Sequence, residues 1–101
     1  MDLLYKLVNK QPVPAVDYID WAEFMGNSKN RIVAQSVYGE VTISTVFLGT
    51  DHNYMSKGDP ILFETIIFGE EFSDLQWRYS TWEEAEKNHK AICEKYFEIK
   101  S

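Results

Sequence analysis

The stretch RIVAQSVYGEVTISTVFL, residues 31–48, decides the fold. Two runs rich in β-branched and aromatic residues flank Gly39-Glu40, and a Gly-X pair between such runs is the signature of a two-residue type II′ turn. The spacing predicts an antiparallel hairpin of Arg31–Tyr38 and Val41–Leu48. Downstream, Ile61–Phe68 is apolar on both alternating faces, the pattern of a strand covered on both sides or lying centrally in a sheet. The polar turn Gly69–Asp74 separates it from a further short strand expected at Gln76–Tyr79.

Helices are expected on either side of this sheet. From Asp17, a candidate N-cap, Ile19, Trp21, Ala22, Phe24 and Met25 recur at helical spacing, with Gly26 as the stop. A long final helix is expected from Thr81 to Glu98, because Ser80-Thr81-Trp82-Glu83 sets a hydroxyl three residues before a carboxylate, as in a capping box. Its stripe of Trp82, Ala85, His89, Ile92, Cys93 and Tyr96 faces the sheet. Near the N-terminus Leu3–Val8 is predicted as an edge strand. It ends at the polar turn Asn9-Lys10-Gln11 and at Pro12 and Pro14, which are expected to stay out of a ladder. The class is α+β: a mainly antiparallel sheet of about four to five strands, with a short N-terminal helix and a long C-terminal helix packed on it. At 101 residues the chain is expected to form a single domain, since halving it leaves pieces too small to bury a core.

Sixteen acidic against ten basic residues give a formal charge of -6, which repels nucleic-acid phosphates and anionic membranes. Nucleic acid is therefore not an expected partner. The acidic residues gather at Glu70, Glu71 and Asp74 and at Glu83, Glu84 and Glu86. A solvated face is the favoured reading of these charges; an acidic patch for a basic partner, or a DNA mimic, is the sharper one. Cys93 has no second cysteine to pair with, which fits a reducing cytoplasm. The start lacks a signal-peptide pattern, and no apolar run is long enough for a membrane span.

Chemistry is sparse. Asp51-His52-Asn53 follows a predicted strand and opens a loop to Pro60, where sites collect. An imidazole beside a carboxylate can act as a base or a ligand, yet neighbours on an extended chain point apart, and Asp and Asn are common turn formers. Glu64, inside an apolar strand, and Arg78, on the next strand, are expected to form a cross-strand ion pair, with a ligand-facing Glu64 as the alternative. Asp51, His52, Asn53, Glu64 and Arg78 are thus the candidate ligand-binding set. Two histidines are too few for a metal centre, and neither metal nor cofactor is expected. His89 and Cys93 share a helical face, but their apolar stripe favours packing over nucleophilic catalysis. P-loop, dinucleotide, HExxH and GxSxG motifs are absent from the sequence. The many aromatic residues are mostly core, and any left exposed would be interface anchors.

Three ordered stretches carry a resemblance: Ser44-Thr45-Val46-Phe47-Leu48-Gly49 into Asp51-His52-Asn53; Pro60 with Leu62-Phe63-Glu64-Thr65 and Phe68-Gly69; and Arg78-Tyr79-Ser80-Thr81-Trp82-Glu83-Glu84-Ala85-Glu86 with His89. Together they resemble a family of small uncharacterised phage and prophage proteins, over roughly residues 31–89. The loop Tyr54-Met55-Ser56-Lys57-Gly58-Asp59 departs from the glycine-rich form of that family. The resemblance implies context and no catalytic role: a phage-type accessory protein in the cytoplasm of a bacterial host. The expected function is non-enzymatic binding of a host or viral protein, inhibition of a bacterial defence being one form of it. The alternative is a small-molecule-binding or hydrolytic domain built on the Asp51-His52-Asn53 loop. A homo-oligomer through an edge strand is compatible with either.

Overall fold

The computed structural model describes residues 3–55, 57–69 and 75–97. The hairpin forms as its turn dictates: β3 (Ile32–Tyr38) and β4 (Val41–Phe47) are joined by Gly39 at φ +61° and Glu40, and Tyr38 faces Val41. β5 (Phe63–Phe68) pairs with β4, and β6 (Gln76–Tyr79) pairs with β5, giving a four-stranded antiparallel sheet in the order β3-β4-β5-β6. The apolar strand is central, as its two-faced pattern implies. Of the turn expected at Gly69–Asp74, residues 70–74 lie outside the described residues.

Alternation along β4 sorts the sheet into two faces. Ile43, Thr45 and Phe47 are buried, while Thr42, Ser44 and Val46 are half-buried. The first face receives α3 (Trp82–Phe97), whose Ala85, His89 and Ile92 are buried against it. Phe47, Leu62, Phe63, Tyr79 and Ala85 form one core cluster, and Ile43, Ile67 and Ile92 a second. The helix cap sits one residue later than its sequence reading. Thr81 Oγ1 accepts from the Glu84 N–H at 3.1 Å, and Glu84 Oε1 accepts from the Thr81 N–H at 3.2 Å, so the capping box is Thr81/Glu84 rather than Ser80/Glu83. Glu98 lies outside the described residues.

The N-terminus differs from expectation. Leu3–Val8 does not edge the main sheet: β1 (Tyr5–Val8) pairs with β2 (Gln11–Pro14) in a separate two-stranded ribbon, and Pro12 and Pro14 lie inside that ladder. Register explains why proline is tolerated. Asn9 and Lys10, at φ 50° and 69°, form a type I′ turn, so Val8 and Gln11 are its hydrogen-bonded closing pair. Such pairs alternate with non-bonded ones along an antiparallel ladder. Pro12 and Pro14 fall at the non-bonded positions, where no N–H is needed. The alternation continues as the Ala15 N–H donates to Leu4 O at 2.7 Å.

Asp17 caps α1 (Tyr18–Met25), accepting from the Asp20 N–H at 2.9 Å. Gly26 ends it in a right-handed conformation at φ −69°, and a one-turn helix α2 (Ser28–Arg31) leads into β3. Phe24 meets Phe47 edge-on. Ile19, one of the apolar residues at helical spacing, is 68% exposed. Lys6 Nζ binds Asp20 Oδ1 at 3.0 Å, tying the ribbon to α1. The Val16 N–H and the Lys6 ammonium together hold the Asp20 carboxyl below its usual range.

Candidate functional site

The loop after β4 is clasped by its own candidate residues. Asp51 Oδ1 accepts from the N–H groups of Asn53 (2.7 Å) and Ile61 (2.9 Å). Asn53 Oδ1 accepts from the Met55 N–H at 3.0 Å, while Nδ2 donates to the carbonyls of Lys57 and Asp59 at 3.0 and 2.9 Å. Both side chains therefore replace backbone partners across a segment that no ladder satisfies. Between them the His52 N–H donates to Ile61 O at 2.9 Å. Its ring is half-buried beside two hydroxyls, Thr50 Oγ1 at 3.3 Å from Nε2 and Tyr54 Oη at 3.4 Å from Nδ1. Among the described residues no carboxylate hydrogen-bonds the imidazole, and Asp51 turns its oxygen to backbone N–H groups instead, so the Asp51-His52 step does not form an acid–base pair.

A stability difference follows from this division of labour. Asp51→Ala strands two backbone donors and is expected to cost about 1–3 kcal/mol. His52→Ala is expected to cost less, about 0.5–1 kcal/mol, because its half-buried ring makes only two long hydroxyl contacts and leaves no backbone donor stranded. Urea unfolding of both variants checks the order; a larger loss at His52 would show that the ring, rather than the carboxylate, holds the loop.

Glu64 and Arg78 face one another in the β5–β6 register, and Arg78 Nε donates to Glu64 Oε2 at 2.9 Å. This is the expected cross-strand ion pair. With the arginine side chain 38% exposed, the pair contributes at most about 1 kcal/mol and chiefly fixes register. Among the described residues no hydrogen bond or ion pair joins it to Asp51, His52 or Asn53. The candidate set thus divides into a loop clasp and a strand pair.

A row of five linked polar side chains lies under α3. Tyr79 Oη donates to Thr65 Oγ1 at 3.1 Å; Thr65 Oγ1 meets Thr45 Oγ1 at 2.6 Å; Thr45 Oγ1 meets His89 Nδ1 at 2.7 Å; and His89 Nε2 meets Ser36 Oγ at 2.9 Å. Each strand of the main sheet supplies a hydroxyl, and the helix supplies the imidazole. Donor counting assigns the direction. With Tyr79 donating, Thr65 donates to Thr45 and Thr45 to Nδ1, which leaves the proton on Nε2 for Ser36. Burial lowers the His89 pKa and raises that of Tyr79.

Ser36 and His89 would suit a nucleophile and its base, but the ring is 6% exposed and its other nitrogen meets a hydroxyl, not a carboxylate. The row satisfies buried polar groups and sets the rotation of α3. The sequence places His89 on the buried stripe but does not reveal its partners, which require the strand register.

No family model, curated protein or solved structure matches the chain. Among the described residues no three His, Cys, Asp or Glu side chains gather to hold a metal, and no helix is long and apolar enough to cross a membrane. Several large apolar side chains face solvent instead. At the start of α1, Val16, Tyr18 and Ile19 are 85%, 66% and 68% exposed; Tyr54 and Met55 stand out from the clasped loop. Trp21, Phe24 and Met25 on the same short helix are half-buried, whereas Ile19 is turned to solvent.

Proposed function

We propose that this protein works without catalysis, by binding another protein, and that the resemblance to phage proteins makes a bacterial host or viral protein the partner class. The observation that carries this reading is the exposed trio Val16, Tyr18 and Ile19 on one turn of chain. Tyrosine is among the residue types enriched at the centres of interfaces, and Tyr18 stands here between two exposed aliphatic side chains. Asp17, Asp20 and Glu23 stand among and beside the trio, in a chain of net charge -6. That surround suits an apolar pocket rimmed with basic side chains and disfavours an acidic partner. The polar residues that an enzyme or ligand reading would use are engaged elsewhere, Asp51 and Asn53 in the loop and Glu64 with Arg78.

Native mass spectrometry of protein prepared gently from host cells tests the proposal. A retained host or viral protein is expected, lost in the double variant Tyr18→Ser/Ile19→Ser while circular dichroism is unchanged. Substrate turnover that disappears in His52→Ala would overturn the reading in favour of the loop.

A further inference from the structure

The two halves of α3 are held to the sheet differently, and His89 lies between them. Before it, Trp82 and Ala85 join the cluster of Phe47, Leu62 and Phe63, which Tyr5 and Leu7 of the ribbon and Phe24 and Met25 of α1 also cover. Trp82 meets Phe63 edge-on and has Lys10 Nζ 5.5 Å above its ring, so this half is wedged between the sheet and the ribbon. After it, Ile92, Cys93, Tyr96 and Phe97 cover Ile43 and Ile67, and that cluster contains no described residue of the ribbon or α1. Of the three buried residues on α3, His89 alone is polar. Its bonds to Thr45 and Ser36 pin the helix to β4 and β3 where the doubly covered half gives way to the singly covered one.

We infer that His89 is the catch of a proton-operated cover: a proton taken up by its ring frees the C-terminal half of α3, residues 90–97, from Ile43 and Ile67, while the sheet and the first half of the helix stay in place. The imidazolium must donate from both nitrogens. Ser36 can accept from Nε2, but Thr45 accepts from Nδ1 only by turning its own proton to Thr65, which already accepts from Tyr79. Nothing charged offsets the new charge. Toward α3 the described parts of the strands turn only two titratable side chains, Tyr38 and Tyr79, and Glu64 and Arg78 lie on the opposite face. On the helix Glu86, Lys90 and Cys93 neighbour the ring by spacing; Glu86 and Lys90 are exposed, and neither forms an ion pair with it among the described residues. A buried charge without a partner is better placed in water.

Two routes lead the ring to water. Lifting the first half of α3 opens the cluster that the ribbon and α1 help to seal, whereas lifting the second half breaks contacts that α3 alone makes from outside the sheet. Segments with the fewest attachments open first, and a half-helix at the end of the described chain leaves without disturbing any strand pairing. The cover concerns neither the α1 surface nor its partner, and it stands or falls separately from them.

Cys93, the one cysteine of the chain, is half-buried in the part expected to move and serves as the probe. Its rate of reaction with dithiodipyridine, compared with that of the urea-unfolded chain at the same pH, gives a protection factor. This factor is expected to fall several-fold between about pH 6.5 and 5, the limit for one proton being about tenfold per pH unit. His52→Ala is expected to behave as wild type, and His89→Gln to lose the pH dependence. A second measurement needs no variant. In hydrogen exchange of the wild type, corrected for the intrinsic rate at each pH, amides after His89 are expected to lose protection over this range while those of β4 and β5 keep theirs. Protection of Cys93 that is independent of pH overturns the inference, as does an unchanged pH dependence in His89→Gln or a joint loss of protection in helix and strands.

Discussion

Gly49→Ala is expected to lower stability by about 1–3 kcal/mol. Gly49 is buried just beyond β4 with φ at +79°, a left-handed conformation that costs an L-residue about 1–2 kcal/mol. A Cβ there would stand 2.6 Å from Met25 Cε, the far end of a flexible side chain that can swing aside, and 3.1 Å from Trp21 Nε1, which must give by a few tenths of an ångström, so the steric part adds at most about 1 kcal/mol. The same residue joins three parts of the molecule. Its carbonyl accepts from Trp21 Nε1 at 3.1 Å and from the Tyr5 N–H at 2.8 Å, so α1, the ribbon and the main sheet meet at this carbonyl. Urea unfolding of the wild type and variant measures the loss. In a double-mutant cycle with Met25→Ala the steric part is expected to be recovered and the conformational part to remain. A loss under about 1 kcal/mol would mean that the junction yields, and that α1 is not rigidly seated on the sheet end.

How much of this was legible beforehand depends on whether the cause is local. The Gly39-Glu40 turn, the Asp17 cap and the central place of Ile61–Phe68 follow from turn chemistry, capping and alternation, which act over a few residues. The ribbon did not, because Pro12 and Pro14 are excluded from a ladder only where an N–H must donate, and that depends on a register set by Asn9-Lys10. Helical spacing marked α1 but not which of its apolar residues are covered: the eight-residue helix half-buries Trp21, Phe24 and Met25 and leaves its first turn, with Ile19, in solvent. Of the candidate site residues, Glu64 and Arg78 were legible as a pair from strand adjacency. Asp51 and Asn53 were legible as turn formers, but their carbonyl and N–H partners at Lys57, Asp59 and Ile61 were not.

The hydroxyl row under α3 was the least visible, since its members lie far apart in sequence, and its disruption is the other large effect expected. Thr45→Val keeps the side-chain shape but removes the donor to His89 Nδ1, leaving buried groups unsatisfied at a cost of about 1–3 kcal/mol. Protonation of His89 acts on the same bond. Imidazolium needs Nδ1–H to donate to Thr45, so Thr45 must turn its own proton to Thr65, which already accepts from Tyr79; its displaced proton then has no partner in the row. No charged side chain forms a hydrogen bond or ion pair with the ring among the described residues, and burial holds its pKa below 6.5. Above about pH 6.5 the imidazole is mostly neutral in both folded and unfolded chains. Below it the unfolded chain binds the proton first, so stability falls with falling pH, by up to about 1.4 kcal/mol per unit, until pH passes the folded-state value. Subtracting the stability–pH curve of His89→Gln removes the carboxylates and His52. A remaining slope between about pH 6.5 and 5 is expected. A flat difference would show that α3 accepts imidazolium without rearrangement, and that the row orders the helix without constraining its charge.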